Sequence, residues 1–367
     1  MTALYIHIPF CEKKCFYCSF VVTIAQQQRM DAYVDCLEKE MQRYRGQRLK
    51  TIYLGGGTPT LLDQSQLRRI IEAIRKTFLF DRETELTIEA NPEGVDLEKA
   101  YLLLDLGVNR ISLGTQSFHD HYLKFLGRCH DARMAVETFT VLRKAGFKNI
   151  NVDLMYSFPR QTMEEIESDV GKLIEFASEH VSLYTLTVDP HSRFHAKKMA
   201  ESENHLQAEQ YERVVGLLAK AGLPQYEVSN FARPGQESRH NLIYWTGGNY
   251  IGIGVGAHSH QDGERRWNIA HLPEYIACLQ TGGDPMEGFE RLSREERLVE
   301  TLLFGLRMNR GIHLQQLQNQ LGCVLPGEKM HTLQTFIEGG WLIGENDLLK
   351  ATDKGRLVLD EMAARLI

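Results

Sequence analysis

The chain has 367 residues, a length that suits one large domain and a smaller second one. Its 42 Lys and Arg residues stand against 48 Asp and Glu residues, so the formal net charge is −6 and nucleic acid is not an expected partner. No segment approaches the roughly 20 apolar residues of a transmembrane helix, and no secretory signal is recognisable at the start of the sequence. These features predict a soluble cytoplasmic protein and leave open both a homodimer and a peripheral contact with a membrane.

Short β-rich runs alternate with stretches of helical periodicity along the first 230 residues. Helices are predicted at about 30–44 and 65–78, and the same rhythm continues beyond them. The predicted strands lie at 4–8, 51–54, 86–88, 110–113, 150–154, 181–184 and 226–228. Such a series predicts an α/β fold of repeated βα units around a parallel sheet. Six or seven units fall short of the eight that close a full barrel, so we expect an open, partial (β/α)6-type barrel.

The pattern changes near residue 290 to helices only, followed by a predicted hairpin at 341–349 and a terminal helix from about residue 353. We therefore predict two domains, 1–288 and 289–367. Three helices and a two-stranded wing resemble a winged helix, but a DNA-recognition helix should be basic and the segment 330–337 is not. A role in covering the substrate is the favoured interpretation of this second domain.

Three of the seven cysteines fall within eight residues, in the spacing Cys11-x3-Cys15-x2-Cys18, directly after the first predicted strand. Clustered thiols near the carboxyl end of a strand indicate a metal site rather than a disulfide framework. Thiolates suit zinc or an iron-sulfur cluster. A structural zinc site needs four protein ligands, whereas three ligands on a four-iron cluster leave one iron open for a small molecule.

This cysteine motif at the start of a βα array resembles that of the radical SAM superfamily, and Tyr17 before the last cysteine matches the usual pattern. The resemblance implies a [4Fe-4S] cluster held by Cys11, Cys15 and Cys18, with S-adenosylmethionine (SAM) on the open iron. It also implies that a glycine-rich loop after the second strand holds the methionyl amino group. Gly56, Gly57 and Thr58 take that role here.

Polar residues stand at or near the ends of three later strands, where an apolar barrel would not place them without a partner. These are Glu89, Gln116 and Asp153, and Arg128 lies in the segment between the last two of these strands. Carboxylates suit ribose hydroxyls, and a guanidinium suits a cofactor carboxylate. By resemblance, the residues that contact SAM are Tyr5, Tyr17, Gly56, Gly57, Thr58, Glu89, Gln116, Arg128 and Asp153.

The resemblance narrows to the HemN/HemW family, the oxygen-independent coproporphyrinogen III oxidase-like group, and covers essentially the whole chain. Oxidases of this group carry a long extension before the first strand and usually a further cysteine after the triplet. Here the first strand begins at about Leu4, and Ser19 follows Cys18. Both features favour the haem-chaperone branch of the family.

The segment His240-Asn241-Leu242-Ile243-Tyr244-Trp245 matches the HNxxYW motif of that branch. The resemblance makes His240 the candidate axial ligand of haem, although many relatives have a cysteine where this chain has Ser238. It implies a haem chaperone that binds a [4Fe-4S] cluster, SAM and haem, and delivers haem to a recipient apo-haemoprotein. The alternative is a coproporphyrinogen III oxidase that decarboxylates propionates through a 5′-deoxyadenosyl radical, so whether the protein is an enzyme stays open.

Overall fold

The computed structural model describes residues 2–367. Up to residue 291 the chain forms one large sheet and the helices that cover it. The strands are β1 Thr2–Ile8, β2 Phe10–Cys11, β3 Thr23–Ile24, β4 Leu49–Gly56, β5 Glu85–Ala90, β6 Arg110–Gln116, β7 Ile150–Tyr156, β8 His180–Thr185, β9 Gln225–Glu227, β10 Asn230–Ala232, β11 Asn249–Ile253, β12 His258–Gln261, β13 Glu264–Asn268 and β14 Met286–Arg291.

Twelve of these strands form a single sheet, in the order β14-β13-β12-β11-β1-β4-β5-β6-β7-β8-β10-β9. The seven from β11 to β8 are parallel, and both flanks are antiparallel. The two outermost strands, β14 and β9, do not pair with each other, so the sheet stays open. The predicted partial barrel is confirmed, and the strands β1 and β4 to β8 are its six consecutive parallel units.

Helices follow most of the parallel strands and pack their apolar faces on the sheet. They are α1 Met30–Met41, α2 Gln64–Thr77, α3 Leu97–Asp105, α4 Asp120–Leu126, α5 Ala132–Ala145, α6 Met163–Glu175, α7 Arg193–Ala196, α8 Asn204–Lys220, α9 Arg239–Trp245 and α10 Leu272–Gln280. Their first turns are fixed by local chemistry: Asp63 and Thr162 form capping boxes with the residue three positions later. Because all the parallel strands point the same way, the loops after them meet on one rim.

The predicted strand at 226–228 does not continue the parallel series. Gln225–Glu227 is a three-residue strand that pairs antiparallel with β10 at the edge of the sheet. The turn residues between β9 and β10 are too few for a helical crossover, which a parallel connection requires. Of the two predicted numbers of βα units, six and seven, the structure therefore agrees with six. A seventh parallel strand, β11, comes from a later part of the chain.

The C-terminal part has its own apolar core, made of residues between Leu298 and Leu366. Its helices and its three-stranded sheet, ordered β15-β17-β16, agree with the predicted helical, winged-helix-like domain. The elements are α11 Arg294–Arg307, β15 Ile312–His313, α12 Leu314–Leu321, α13 Gly327–Glu338, β16 Leu342–Glu345, β17 Leu348–Ala351, α14 Asp353–Arg356 and α15 Leu359–Leu366. The division at residue 288 stays a prediction, and it falls inside β14. Among residues 2–367, no helix is both long enough and apolar enough to cross a bilayer.

Candidate functional site

Cys11 is the last residue of β2, and Cys15 and Cys18 lie on the loop that follows it, at the rim where the parallel strands end. All three are half-buried and none forms a disulfide. Burial raises the pKa of the Cys11 thiol to about 11, so ionisation at neutral pH requires a bound metal. No three His, Cys, Asp or Glu side chains of residues 2–367 lie close enough to share one metal ion. A four-iron cluster takes each thiolate on a different iron and does not need such convergence.

A chain of polar contacts joins the cysteine loop to the next strands. The Thr58 hydroxyl donates to the Cys11 sulfur at 3.7 Å, and the Asn91 amide donates to the Thr58 oxygen at 2.9 Å. Arg128 closes the chain from the other side. Its guanidinium donates to Asn91 Oδ1 at 2.6 Å and lies 3.6 Å from the Cys15 sulfur. The side chains therefore hold the loop against the ends of β4, β5 and β6.

Glu89, in β5, faces the glycine-rich loop. Its carboxylate accepts the backbone N–H of Gly56 at 2.8 Å and the hydroxyl of Tyr53 at 2.9 Å. Burial, with a smaller contribution from the charge of Asp153, raises the pKa of Glu89 to about 7. A carboxyl group that changes protonation near neutral pH can accept or donate a hydrogen bond to a ligand hydroxyl.

The backbone bends where β6 reaches the rim. Gln116 has a φ of +70°, and the pairing of β6 with β7 shifts register between Gly114 and Gln116. A non-glycine residue in this left-handed conformation stores strain, which is common at binding sites. On β7, Asp153 is held by the Asn151 amide at 2.7 Å and the Ser112 hydroxyl at 3.1 Å.

These groups line one cavity of about 1350 Å³, which runs from the cysteines into the barrel. Its wall contains the three cysteines and all the predicted SAM residues except Tyr5. Those predicted residues on the wall are Tyr17, Gly56, Gly57, Thr58, Glu89, Gln116, Arg128 and Asp153. The structure therefore brings the predicted set together around one space, while the role of each residue there stays a prediction.

Tyr5 does not lie on the cavity wall. Its ring stacks on Tyr53, with the centroids 6.2 Å apart, and its hydroxyl meets His7 Nδ1 at 2.9 Å. The other ring nitrogen of His7 lies 2.7 Å from the carbonyl of Val21, which is part of the cysteine loop. The observed contacts of Tyr5 thus support the loop rather than the cavity.

His240 lies at the opposite rim, where α9 covers the amino-terminal ends of β4 and β5. Its backbone N–H donates to Glu85 at 2.9 Å, and its two ring nitrogens meet the hydroxyls of Thr51 and Tyr244, each at 2.8 Å. The side chain is buried and does not reach the cavity wall, although its neighbour Asn241 does. Burial, followed by the charge of Arg110, lowers the pKa of His240 to about 3, so the imidazole is neutral.

Several residues on the wall escaped the sequence analysis, among them Tyr53, Asn91, Arg110 and Arg307. A signal existed for two of them. Asn91 follows Glu89 by two residues, and Arg110 precedes Gln116 by six, so strand alternation places each pair on one face. Arg307 ends a helix of the other domain, and no local pattern links it to the barrel.

Two family models match the chain. The radical SAM superfamily model matches residues 5–173, and the HemN C-terminal domain model matches residues 292–358. Among solved structures, coproporphyrinogen III oxidase (HemN) from Escherichia coli superimposes with a TM-score of 0.87 at 23% identity. That comparison covers 100% of this chain and 90% of the oxidase. At this level of identity the similarity shows the fold.

Curated relatives match almost from end to end. The haem chaperone HemW of Bacillus subtilis is 36% identical over 372 residues, which cover 99% of this chain and 98% of the relative. HemW of Lactococcus lactis is 37% identical, with 96% and 93% covered. A zebrafish protein, radical S-adenosyl methionine domain-containing protein 1, mitochondrial, is 30% identical, with 100% and 86% covered. The chain therefore belongs to the HemW family of the radical SAM superfamily.

Proposed function

We propose that this protein is a haem chaperone, which binds a [4Fe-4S] cluster, SAM and haem and passes haem to an apo-haemoprotein. The observation that carries the proposal is the similarity to HemW chaperones over nearly the full length of both chains. The site is consistent with it, because three free cysteines open onto a cavity with more room than one small ligand needs.

The residues on the cavity wall fit the cluster and SAM. Cys11, Cys15 and Cys18 would ligate three irons, and the fourth iron would take SAM from the cavity side. Arg128 carries a buried Nε without a partner, as expected of a guanidinium that completes its contacts on a ligand carboxylate. Glu89 and Asp153 offer acceptors to ribose hydroxyls. When reduced, such a cluster can supply an electron to SAM.

The first test separates the chaperone from an enzyme. Anaerobic protein with a reconstituted cluster receives either haem or coproporphyrinogen III together with SAM and a reductant. We expect stoichiometric haem binding and no protoporphyrinogen IX. Catalytic formation of protoporphyrinogen IX would instead show that the protein is a coproporphyrinogen III oxidase, which is the alternative that the sequence left open. Cys15→Ala should lose the iron chromophore, and Cys323→Ala, outside the motif, serves as the control.

The second test concerns His240, which we keep as the proposed axial ligand. A neutral imidazole can bind iron, but Nε2 must first exchange the Tyr244 hydroxyl for the metal. Tyr244→Phe removes that competing hydroxyl and should therefore raise haem affinity, whereas His240→Ala should lower it and change the haem absorption spectrum. Unchanged spectra and affinity in both variants would remove His240 from the haem site.

A further inference from the structure

Four arginines line the barrel cavity, and two of them lack partners. Arg128 donates to Asn91 and to the carbonyl of Gly114, and Arg356 pairs with Asp353. Arg110 and Arg307 differ: within residues 2–367 neither guanidinium makes a hydrogen bond or an ion pair, although the Nε of each is buried. Arginine stays charged in proteins, so the buried Arg110 and the half-buried Arg307 both have donors that an anion in the cavity could use.

Arg110 is the first residue of β6 and lies at the floor of the cavity. Only 2% of it is exposed. Its positive charge contributes to the pKa shifts of the titratable groups around it, which are Asp153, Tyr53, Tyr226, His180 and His240. Asp153 is the acidic member of that set, and its oxygens are already engaged by Asn151 and Ser112. Arg110 is therefore a positive group on the cavity wall that makes no ion pair with Asp153.

Arg307 reaches the same cavity from the end of α11, in the C-terminal domain. Its guanidinium lies 4.8 Å from the ring centroid of Trp245, the last residue of the HNxxYW segment. The indole N–H of Trp245 is also buried without a partner. Burial raises the pKa of Glu227, and the nearby charge of Arg307 opposes that shift. Oε1 of Glu227 accepts from Asn230 and the backbone N–H of Ser229, its Oε2 is buried without a hydrogen bond, and no ion pair joins it to Arg307. Arg110, from the barrel, and Arg307, from the C-terminal domain, therefore both bring unpaired donors to the wall of one cavity.

We propose that Arg110 and Arg307 form a carboxylate-binding end of the cavity, which holds the propionate groups of the haem. This inference rests on the proposed function. A guanidinium pairs with a carboxylate through two parallel hydrogen bonds, and the pair is strongest where water is excluded. The volume of about 1350 Å³ exceeds the roughly 300 to 1000 Å³ of ordinary small-molecule sites, so an acidic ligand can lie beyond SAM.

The test compares haem with haem dimethyl ester, which has the same ring and iron but no carboxylates. Both are titrated into cluster-loaded protein under anaerobic conditions. We expect the wild type to prefer haem by roughly tenfold to a hundredfold, the value of one or two charge-assisted hydrogen bonds. Arg110→Gln and Arg307→Gln should each reduce that preference while keeping affinity for the ester. Arg110→Lys should keep part of it, and Arg356→Gln, on the same wall but already paired, should keep all of it.

The outcomes are distinguishable. Equal binding of haem and ester by the wild type, or an undiminished preference in both Gln variants, overturns the carboxylate site and leaves the chaperone standing. A variant that loses both ligands equally shows that its arginine supports the fold, which overturns its assignment as a ligand group. If the wild type binds neither compound, the proposed function and the carboxylate site fail together.

Discussion

At the scale of single residues, Gly56 leaves no room for a side chain. Its φ is +108°, and a Cβ at this position would lie 2.3 Å from Cε1 of His7. Gly56→Ala should therefore displace the His7 ring, which holds the cysteine loop through Val21. We expect a loss of about 1 to 3 kcal/mol in the free energy of unfolding and reduced iron content after reconstitution.

Gly171 provides the matched control. It is an exposed glycine inside α6, and a Cβ there would meet no atom within 4 Å. Gly171→Ala should raise stability by up to about 1 kcal/mol and leave the iron content unchanged. Urea unfolding and iron analysis check both variants. A Gly56→Ala variant with normal iron content and stability would show that the loop can adjust, contrary to this expectation.

Most residues of the site could be predicted because they belong to short sequence motifs, each of which is typical of one kind of ligand binding. The cysteine spacing and the glycine-rich loop are local, and the structure places both on the same rim. The left-handed backbone of Gln116 could not be predicted, since nothing in its side chain favours a positive φ. The burial of His240 could not be predicted either, because its partners Thr51 and Glu85 come from β4 and β5, far away in the sequence.

At the scale of elements, α1 is tied to the sheet by a buried carboxyl group, Glu40. It accepts hydrogen bonds from the Gly254 N–H at 2.9 Å, the Asn268 amide at 2.6 Å and the Tyr275 hydroxyl. Burial outweighs these contacts and raises the pKa of Glu40 to about 7. Because the folded state holds this proton more tightly than the unfolded state, stability should fall as pH rises from about 4.5 to above 7.

Glu40→Gln replaces the ionisable group by a neutral one of similar shape. The variant should match the wild type near pH 4 and lose less stability by pH 8, with a difference of up to about 3 kcal/mol. Glu72→Gln, on the exposed side of α2, is the control and should follow the wild-type curve. Urea unfolding of cluster-free protein at several pH values measures this. Parallel curves for wild type and Glu40→Gln would exclude the raised pKa.

Helices and strands with a clear hydrophobic pattern could be predicted from the sequence, and elements without such a pattern could not. The parallel strands are buried on both faces and therefore appear as apolar runs, as in Ile150–Tyr156. In the antiparallel strands Glu264–Asn268, which is mostly half-buried, and Met286–Arg291, which is largely exposed, charged residues interrupt the apolar ones, so no apolar run marks them. The edge strand Gln225–Glu227 carried a β-rich signal but no information about its direction.

At the scale of the whole molecule, the cavity depends on both parts of the chain. The sequence predicted a second domain that covers the substrate, and residues 356–361 do line the cavity opposite the barrel wall. Its junction with the barrel could not be predicted, because it joins segments far apart in the sequence, as in the contact of Arg307 with the Trp245 ring and the ion pair of Arg265 with Glu300. The N–H of Asn309 donates to the Tyr226 carbonyl at 2.9 Å, and its amide donates to the Gln225 carbonyl at 2.6 Å.

Asn309→Ala should loosen this junction without unfolding either part. The variant loses one hydrogen bond and leaves the Gln225 carbonyl without its donor, at a cost of about 1 to 3 kcal/mol. Because the C-terminal core is separate from that of the barrel, amide hydrogen exchange should accelerate mainly in β9, β10 and the end of α11. Asn319→Ala, an exposed change on α12, should leave exchange at the junction as in the wild type.

Faster exchange throughout the chain, or equal effects of the two variants, would mean that Asn309 does not hold the two domains together locally. With a local effect, haem affinity should fall while iron content stays normal, because Arg307 and the 356–361 segment line the cavity from the C-terminal domain, whereas the cysteines belong to the barrel.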